Sequence, residues 1–212
     1  MERKKISARI IADSLNEQGN RLTTFILTFP RIVLAEFNTH RMISKNSASS
    51  RAIPFEKMLK MVQEDPFIPI KWMKEHKGMQ GAEYFEDDAA LKLMWLKARD
   101  EAIRHAEFLN MKGLTKQLCN RLLEPFLYHK AIITGTEWEN FFALRAHNDA
   151  EIHIQELAYR MLDEYNAHTP MQLKAGEWHI PFGDKIDVQR MIDGEAFSNE
   201  HDGFAFGLSG DI

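Results

Sequence analysis

An α+β fold, with a mixed or antiparallel sheet flanked by long helices, is what this sequence predicts, and three observations carry the prediction. Strand patterns gather near the N-terminus, where residues 3–13 alternate in polarity and residues 22–29 form an uncharged, β-rich run. Helical periodicity dominates the later part, above all over residues 86–111 and 149–165. The chain has 212 residues with 44% hydrophobic content, enough to bury a sizeable core within one domain.

Taken in order, Ile6, Ala8, Ile10 and Ala12 alternate along the first strand and predict one buried face. Residues 14–21 contain Gly19 and Asn20 and read as the turn of a hairpin. The second strand, 22–29, is expected to be buried on both faces. Pro30 suits the first position of a helix running to about His40, with the polar segment 40–51 at its C-terminal end and in the loop beyond. Residues 54–63 fit a short helix, and 67–72 a strand that Pro69 confines to a sheet edge. Acidic Glu86, Asp87 and Asp88 open the long helix 86–111, and Gly113 ends it. A shorter amphipathic helix covers 114–123, with Pro125 stopping it. In the helix 149–165, Ala150, Ile154, Leu157, Ala158, Met161 and Leu162 lie on one core-facing stripe. Residues 178–182 fit a short strand, residues 1–193 a single domain, and the glycine-rich residues 194–212 a mobile tail.

A formal charge of −4 with 27% charged residues argues against binding to nucleic acid or an anionic membrane. A small anion held by a few placed arginines fits. A single cysteine, Cys119, excludes an intrachain disulfide and suits a reducing compartment. No apolar run is long enough to span a bilayer and no signal-peptide pattern opens the chain, so a soluble, cytoplasmic protein is expected.

Chemistry concentrates at His40–Arg51, where His40, Arg41, Ser44, Asn46, Ser49 and Arg51 bring an imidazole, two guanidinium forks, an amide and hydroxyls together without an acid. Arginine forks and hydroxyls of this kind cradle phosphate. A solvated surface loop is the plain alternative. The spacing H-R-x-x-S-x-N-x-x-S-x-R resembles the signature of the flavin-dependent thymidylate synthases, R-H-R-x-x-S-x-N-E-x-S-x-R-Y. Three positions depart from it: Thr39 stands for the first Arg, Ser47 for the Glu and Ala52 for the Tyr; Glu36 falls where a Gln precedes that first Arg. Two later stretches extend the likeness. Arg121-Leu122-Leu123-Glu124-Pro125 is similar to the family's A-R-x-x-L-P, and Asn140-Phe141-Phe142-Ala143-Leu144-Arg145 to its N-F-x-x-L-R. Ala150 and Ile154 follow the pattern, while Glu151 and His153 replace a Gln and a Glu.

The resemblance implies transfer of a one-carbon unit from methylenetetrahydrofolate to C5 of deoxyuridylate, with FAD as hydride carrier and NADPH as its reductant. It also implies a homotetramer of α+β subunits with active sites at subunit contacts. Arg51, Ser49 and Ser50 would hold the nucleotide phosphate, Arg121, Arg145, Glu36 and Ser47 the rest of the nucleotide, and Arg145 would act catalytically. Thr39, His40, Arg41, Asn46 and Asn140 would face the flavin. A carboxylate at Glu36 accepts from an exocyclic amine, so deoxycytidylate is an alternative substrate, and hydroxymethyl an alternative product. A non-catalytic nucleotide- or flavin-binding protein is the remaining alternative, favoured by the departures.

Two rival sites are weaker. Cys119 lies among Leu118, Leu122 and Leu123 with no histidine three or four residues away, and reads as a buried structural thiol. His147 with Glu151 and Asp149 with His153 are i,i+4 pairs, but a two-residue offset turns a helix by about 200°, so they do not converge on a metal.

Overall fold

The computed structural model describes residues 6–77, 81 and 83–182. Among these, the residues to His179 form one compact unit, and Ile180 begins a second of which residues 180–182 are described. The expected tail, 194–212, lies outside the described residues.

The N-terminal hairpin pairs β1, Ser7–Leu15, with β2, Arg21–Pro30. Its turn is closed by Asn16, whose Oδ1 accepts from the backbone N–H groups of Gln18 and Asn20 at 3.1 and 2.8 Å. Gly19 sits there at φ 83°, a conformation costly for a side chain. The alternation expected of β1 breaks at Ile11, where a register shift between Ile10 and Ala12 changes its phase. Ile6 and Ile10 are buried as expected, but beyond the bulge Asp13 faces inward in place of Ala12. In β2, Phe25, Leu27 and Phe29 are fully buried, whereas Ile26 and Thr28 on the opposite face are only half-buried.

The helix expected after Pro30 is cut short. A 3₁₀ turn, Arg31–Val33, leads into one turn of α1, Leu34–Phe37. The segment expected as loop contains instead a strand, β3, Ser44–Ser47. Its partner, β4, Tyr128–Gly135, has no counterpart among the expected elements. With β5, Met171–Gln172, the sheet order is β3-β4-β2-β1-β5, antiparallel except for the β1–β5 pair. It is the mixed sheet expected.

Helices complete two cores. α5, Glu139–Arg145, and α6, Ile152–Ala167, pack with the sheet through Phe141, Ile154, Leu157, Ala158 and Met161. Glu151 caps α6, accepting from the N–H groups of His153 and Ile154, so this helix begins later than expected, and His147 and Asp149 precede it in a turn. The second core joins α2, Phe55–Glu64, α3, Ala89–Met111, and α4, Lys116–Leu123, through Met58, Val62, Ile103, Ala106 and Leu123. Cys119 is fully buried there and its Sγ lies 3.6 Å from the Leu114 carbonyl, a structural thiol as expected.

Residues 67–72 form no strand. Pro66 and Pro69 each remove a backbone donor, and the segment is anchored by other bonds: Phe67 N–H to the Phe126 carbonyl, Ile70 N–H to His153 Nε2, and Trp95 Nε1–H to the Phe67 carbonyl. Residues 178–182 form no strand either. His179 is fixed there through its side chain, with Nδ1 2.7 Å from Ser14 Oγ and Nε2 2.8 Å from Thr24 Oγ1. No helix among the described residues is long and apolar enough to cross a membrane.

The two cores meet at a polar joint. Arg31 Nη1 donates to His129 Nδ1 at 3.1 Å and its Nη2 reaches Glu124 Oε1 at 3.3 Å. Burial, reinforced by the Arg31 charge, pushes the His129 imidazole down to about 4. The fold therefore holds His129 neutral, and the depressed value contributes stability that is complete above the unfolded value near 6.5 and lost as pH falls towards 4. About 3 kcal/mol is expected to disappear over that window. Denaturant unfolding measured from pH 7 to pH 4 reads it, and His129→Gln is expected to flatten that part of the profile.

Candidate active site

The single turn of α1 and helix α5 meet in the first core, where the rings of Phe37 and Phe141 stand edge-on with centroids 5.7 Å apart. Arg145 ends α5, where a cation complements the helix carbonyls, and its Nη1 forms an ion pair with Glu36 Oε1 on α1. Its Nε–H donates to His40 Nε2 at 2.8 Å. An arginine cannot accept, so His40 Nε2 carries no proton and Nδ1 does. Burial, then the charges of Arg145 and Lys45, hold the His40 imidazole below its usual range, consistent with that neutral tautomer. The ring stands edge-on to Phe141, with centroids 4.9 Å apart. The Lys45 ammonium bonds the His40 carbonyl, and burial lowers its affinity for a proton. Arg145 is thus fixed at two of its nitrogens by residues from outside its own helix.

The rest of the signature is placed by β3 and the turn after it. Asn46 pairs with Ile132 and Ser47 with Ala131, and both side chains are exposed. Ser49 Oγ accepts from the Arg51 N–H at 3.2 Å, and Ser50 is buried. Asn120 Nδ2 donates to the carbonyls of Ser50 and Ile53 at 2.8 and 3.0 Å, and Lys116 Nζ to that of Ala52 at 3.3 Å. These bonds tie α4, which carries Arg121, to the turn that carries Arg51.

The sequence-derived residues therefore divide. Glu36, His40 and Arg145 are in direct contact, and the Ser49–Ser50–Arg51 turn and Arg121 sit on two segments joined by Asn120. Arg41, Asn46, Ser47, Arg51, Arg121 and Asn140 are exposed, and their side chains make no hydrogen bond or ion pair among the described residues. Thr39 turns back on its own helix, its hydroxyl donating to the Glu36 carbonyl at 2.7 Å. Lys45 and Asn120 were not singled out by the sequence, and Phe141 was quoted as the Phe of N-F-x-x-L-R without a role. Lys45 occupies an unspecified position of the signature, and Asn120, an amide on the buried face of an amphipathic helix, was the readable signal for the turn it holds.

The two substitutions at the start of α6 also answer each other. Ile70 N–H donates to His153 Nε2 at 3.2 Å, so His153 Nδ1 carries the proton and donates to Glu151. Burial pushes the Glu151 carboxyl up, but hydrogen bonds from His153 and from two backbone N–H groups outweigh it and leave the carboxyl below its usual value. The pair is a cap and an anchor for residues 67–72.

A family model described as Thymidylate synthase complementing protein matches residues 21–171, from the first residue of β2 to the first of β5. A search of curated proteins gives no match. Among solved structures, the UMP/dUMP methylase PolB from Streptomyces cacaoi, bound with 5-Br UMP, is similar with a TM-score of 0.65 over 77% of this chain and 89% of that one. At 14% identity this is a likeness of fold. With the signature, the Arg121 and Arg145 helices and three of the five strands wholly within the matched span, the chain belongs to the thymidylate synthase complementing protein family, the flavin-dependent thymidylate synthases.

Proposed function

We propose that this chain is a flavin-dependent methyltransferase that moves a one-carbon unit from methylenetetrahydrofolate to C5 of a pyrimidine deoxynucleoside monophosphate. Deoxyuridylate is the substrate that the family reading supplies. The observation that carries the proposal is Arg145, held by Glu36 and His40 inside the family-matched span. FAD, reduced by NADPH, would supply the hydride that completes a methyl group.

The exposed, unengaged donors fit such ligands. Arg41, Asn46 and Asn140 present a guanidinium and two amides to a flavin, with Thr39 and His40 bordering them. Arg51, with Ser49 and Ser50, and Arg121 offer donors to a phosphate and its sugar from two segments held together by Asn120. Ser47 borders the same edge. Arg145 is the catalytic residue: its guanidinium faces the ring and stabilises charge that develops when C5 acts as nucleophile. Fixing it in advance at Nε and Nη1 removes the cost of ordering a long side chain during the reaction. The catalytic domain is taken as residues 1–193, the assembly as a cytoplasmic homotetramer whose subunits share active sites, and the product as methyl, with hydroxymethyl the alternative.

Absorbance spectroscopy of the protein with added FAD tests this reading. A protein-perturbed flavin spectrum that changes again on addition of a pyrimidine deoxynucleoside monophosphate is expected. Absence of flavin binding would overturn it.

A further inference from the structure

We infer that Glu36 sets this site for a pyrimidine carrying an exocyclic 4-amino group, so that deoxycytidylate is bound in preference to deoxyuridylate. The inference rests on the proposed nucleotide site and names the base it selects.

Glu36 is engaged through one oxygen. Oε1 pairs with Arg145 Nη1, while Oε2 has no hydrogen-bond partner among the described residues and the side chain retains 32% of its exposure. On the other member, Nε is committed to His40 and Nη1 to Glu36, which leaves Nη2 without a partner among the described residues. The ion pair thus leaves an acceptor, Oε2, and a donor, Nη2, without partners among the described residues. A ligand that meets both must carry a donor next to an acceptor.

The ring edges of the two bases differ in how completely they satisfy this pattern. Cytosine reads N4–H₂, N3, O2: a donor at the end of the edge, then two adjacent acceptors. Its amine meets the carboxylate, and N3 with O2 meets the arginine side, so all three groups have partners. Uracil reads O4, N3–H, O2, with its one donor between two carbonyls. If N3–H meets the carboxylate and one carbonyl meets Arg145, the other carbonyl lies against the carboxylate and is repelled. Edge groups of opposite polarity at a base discriminate by roughly tenfold or more in affinity. A neutral amide at position 36 would lack this bias, because it offers a donor as well as an acceptor.

Charge points the same way. His40 is held neutral, so Glu36 and Arg145 together present close to no net charge at the ring. That arrangement gives less support to an anionic ring than an unpaired arginine would.

The test uses the full-length protein with FAD bound, titrated separately with deoxycytidylate and deoxyuridylate and followed by the flavin bands and by calorimetry. Wild type is expected to bind deoxycytidylate at least about tenfold more tightly, and Glu36→Gln to reduce or reverse that ratio. FAD binding by the variant checks that it is folded. Equal affinities, or preference for deoxyuridylate, in the wild type overturn the inference while leaving the nucleotide site standing. If neither nucleotide binds while FAD does, the proposed nucleotide site fails with it.

Discussion

Arg145→Ala is expected to lower turnover by about 100- to 1,000-fold while FAD still binds. The two properties separate because, of the residues proposed to face the flavin, only His40 is bonded to Arg145, while the side chains of Arg41, Asn46 and Asn140 make no hydrogen bond or ion pair with it among the described residues. Truncation removes the charge facing the ring and leaves the Glu36 carboxylate without its cation. The second effect adds to the first, since an uncompensated carboxylate repels any partial negative charge on the substrate. Arg145→Lys is expected to recover little: a single ammonium cannot bond His40 Nε2 and Glu36 Oε1 together and still offer a donor in the plane of the ring. Steady-state kinetics alongside flavin titration measures both, and equal loss of flavin binding and turnover would assign Arg145 to the fold.

Trp138→Ala is expected to cost about 3–5 kcal/mol, a large share of the stability of an ordinary domain. Trp138 is 2% exposed and stands at the N-cap position of α5, the helix that carries Arg145. Its ring meets Phe25 of β2 edge-on at 5.1 Å and stacks on Phe142 at 6.1 Å, and its Nε1–H donates to the Gly135 carbonyl at 3.0 Å. One side chain therefore locks the end of β4 to the start of α5. Even a methyl group on Gly135 would stand only 3.3 Å from that ring. Thermal melts are expected to fall by on the order of 10 °C. Nucleotide affinity at a temperature where the variant remains folded should fall as well, because α5 loses the wedge that sets the aim of Arg145.

What the sequence made legible follows from where each signal is written. The hairpin, α4 and α6 announce themselves because each buries apolar residues against a core, and burial forces the period of the element into the pattern of apolar residues, whereas α3 buries only Ile103 and Ala106 and is legible by its length and its Gly113 stop. β3 does not announce itself. Its residues Ser44, Lys45, Asn46 and Ser47 are polar edge-strand residues specified by pairing with β4, a non-local term absent from the local pattern. β4 itself, with His129 and Lys130 inside a short apolar run, was equally silent. β5 is two residues long and exists through its partner β1. At the site, residue types in the signature foretold an anion-binding surface. The contact between Glu36 and Arg145, 109 residues apart, depended on α1 and α5 packing together through Phe37 and Phe141. Glu36 was visible as a departure, and its partner gives that departure a chemical meaning. Glu151 and His153, which the sequence offered only as replacements for a Gln and a Glu, likewise form one structural device.

The most direct test of the account is product analysis. The full-length protein would be incubated with FAD, NADPH, methylenetetrahydrofolate and either deoxycytidylate or deoxyuridylate, and the nucleotide examined by mass spectrometry. The account predicts a pyrimidine nucleotide heavier by one CH2 unit, a methyl group having replaced the hydrogen at C5, formed faster from deoxycytidylate, and dependent on FAD and on Arg145. Recovery of both nucleotides unchanged by a protein that binds FAD and nucleotide would contradict it, and would mark the chain as a binding protein built on an enzyme's fold.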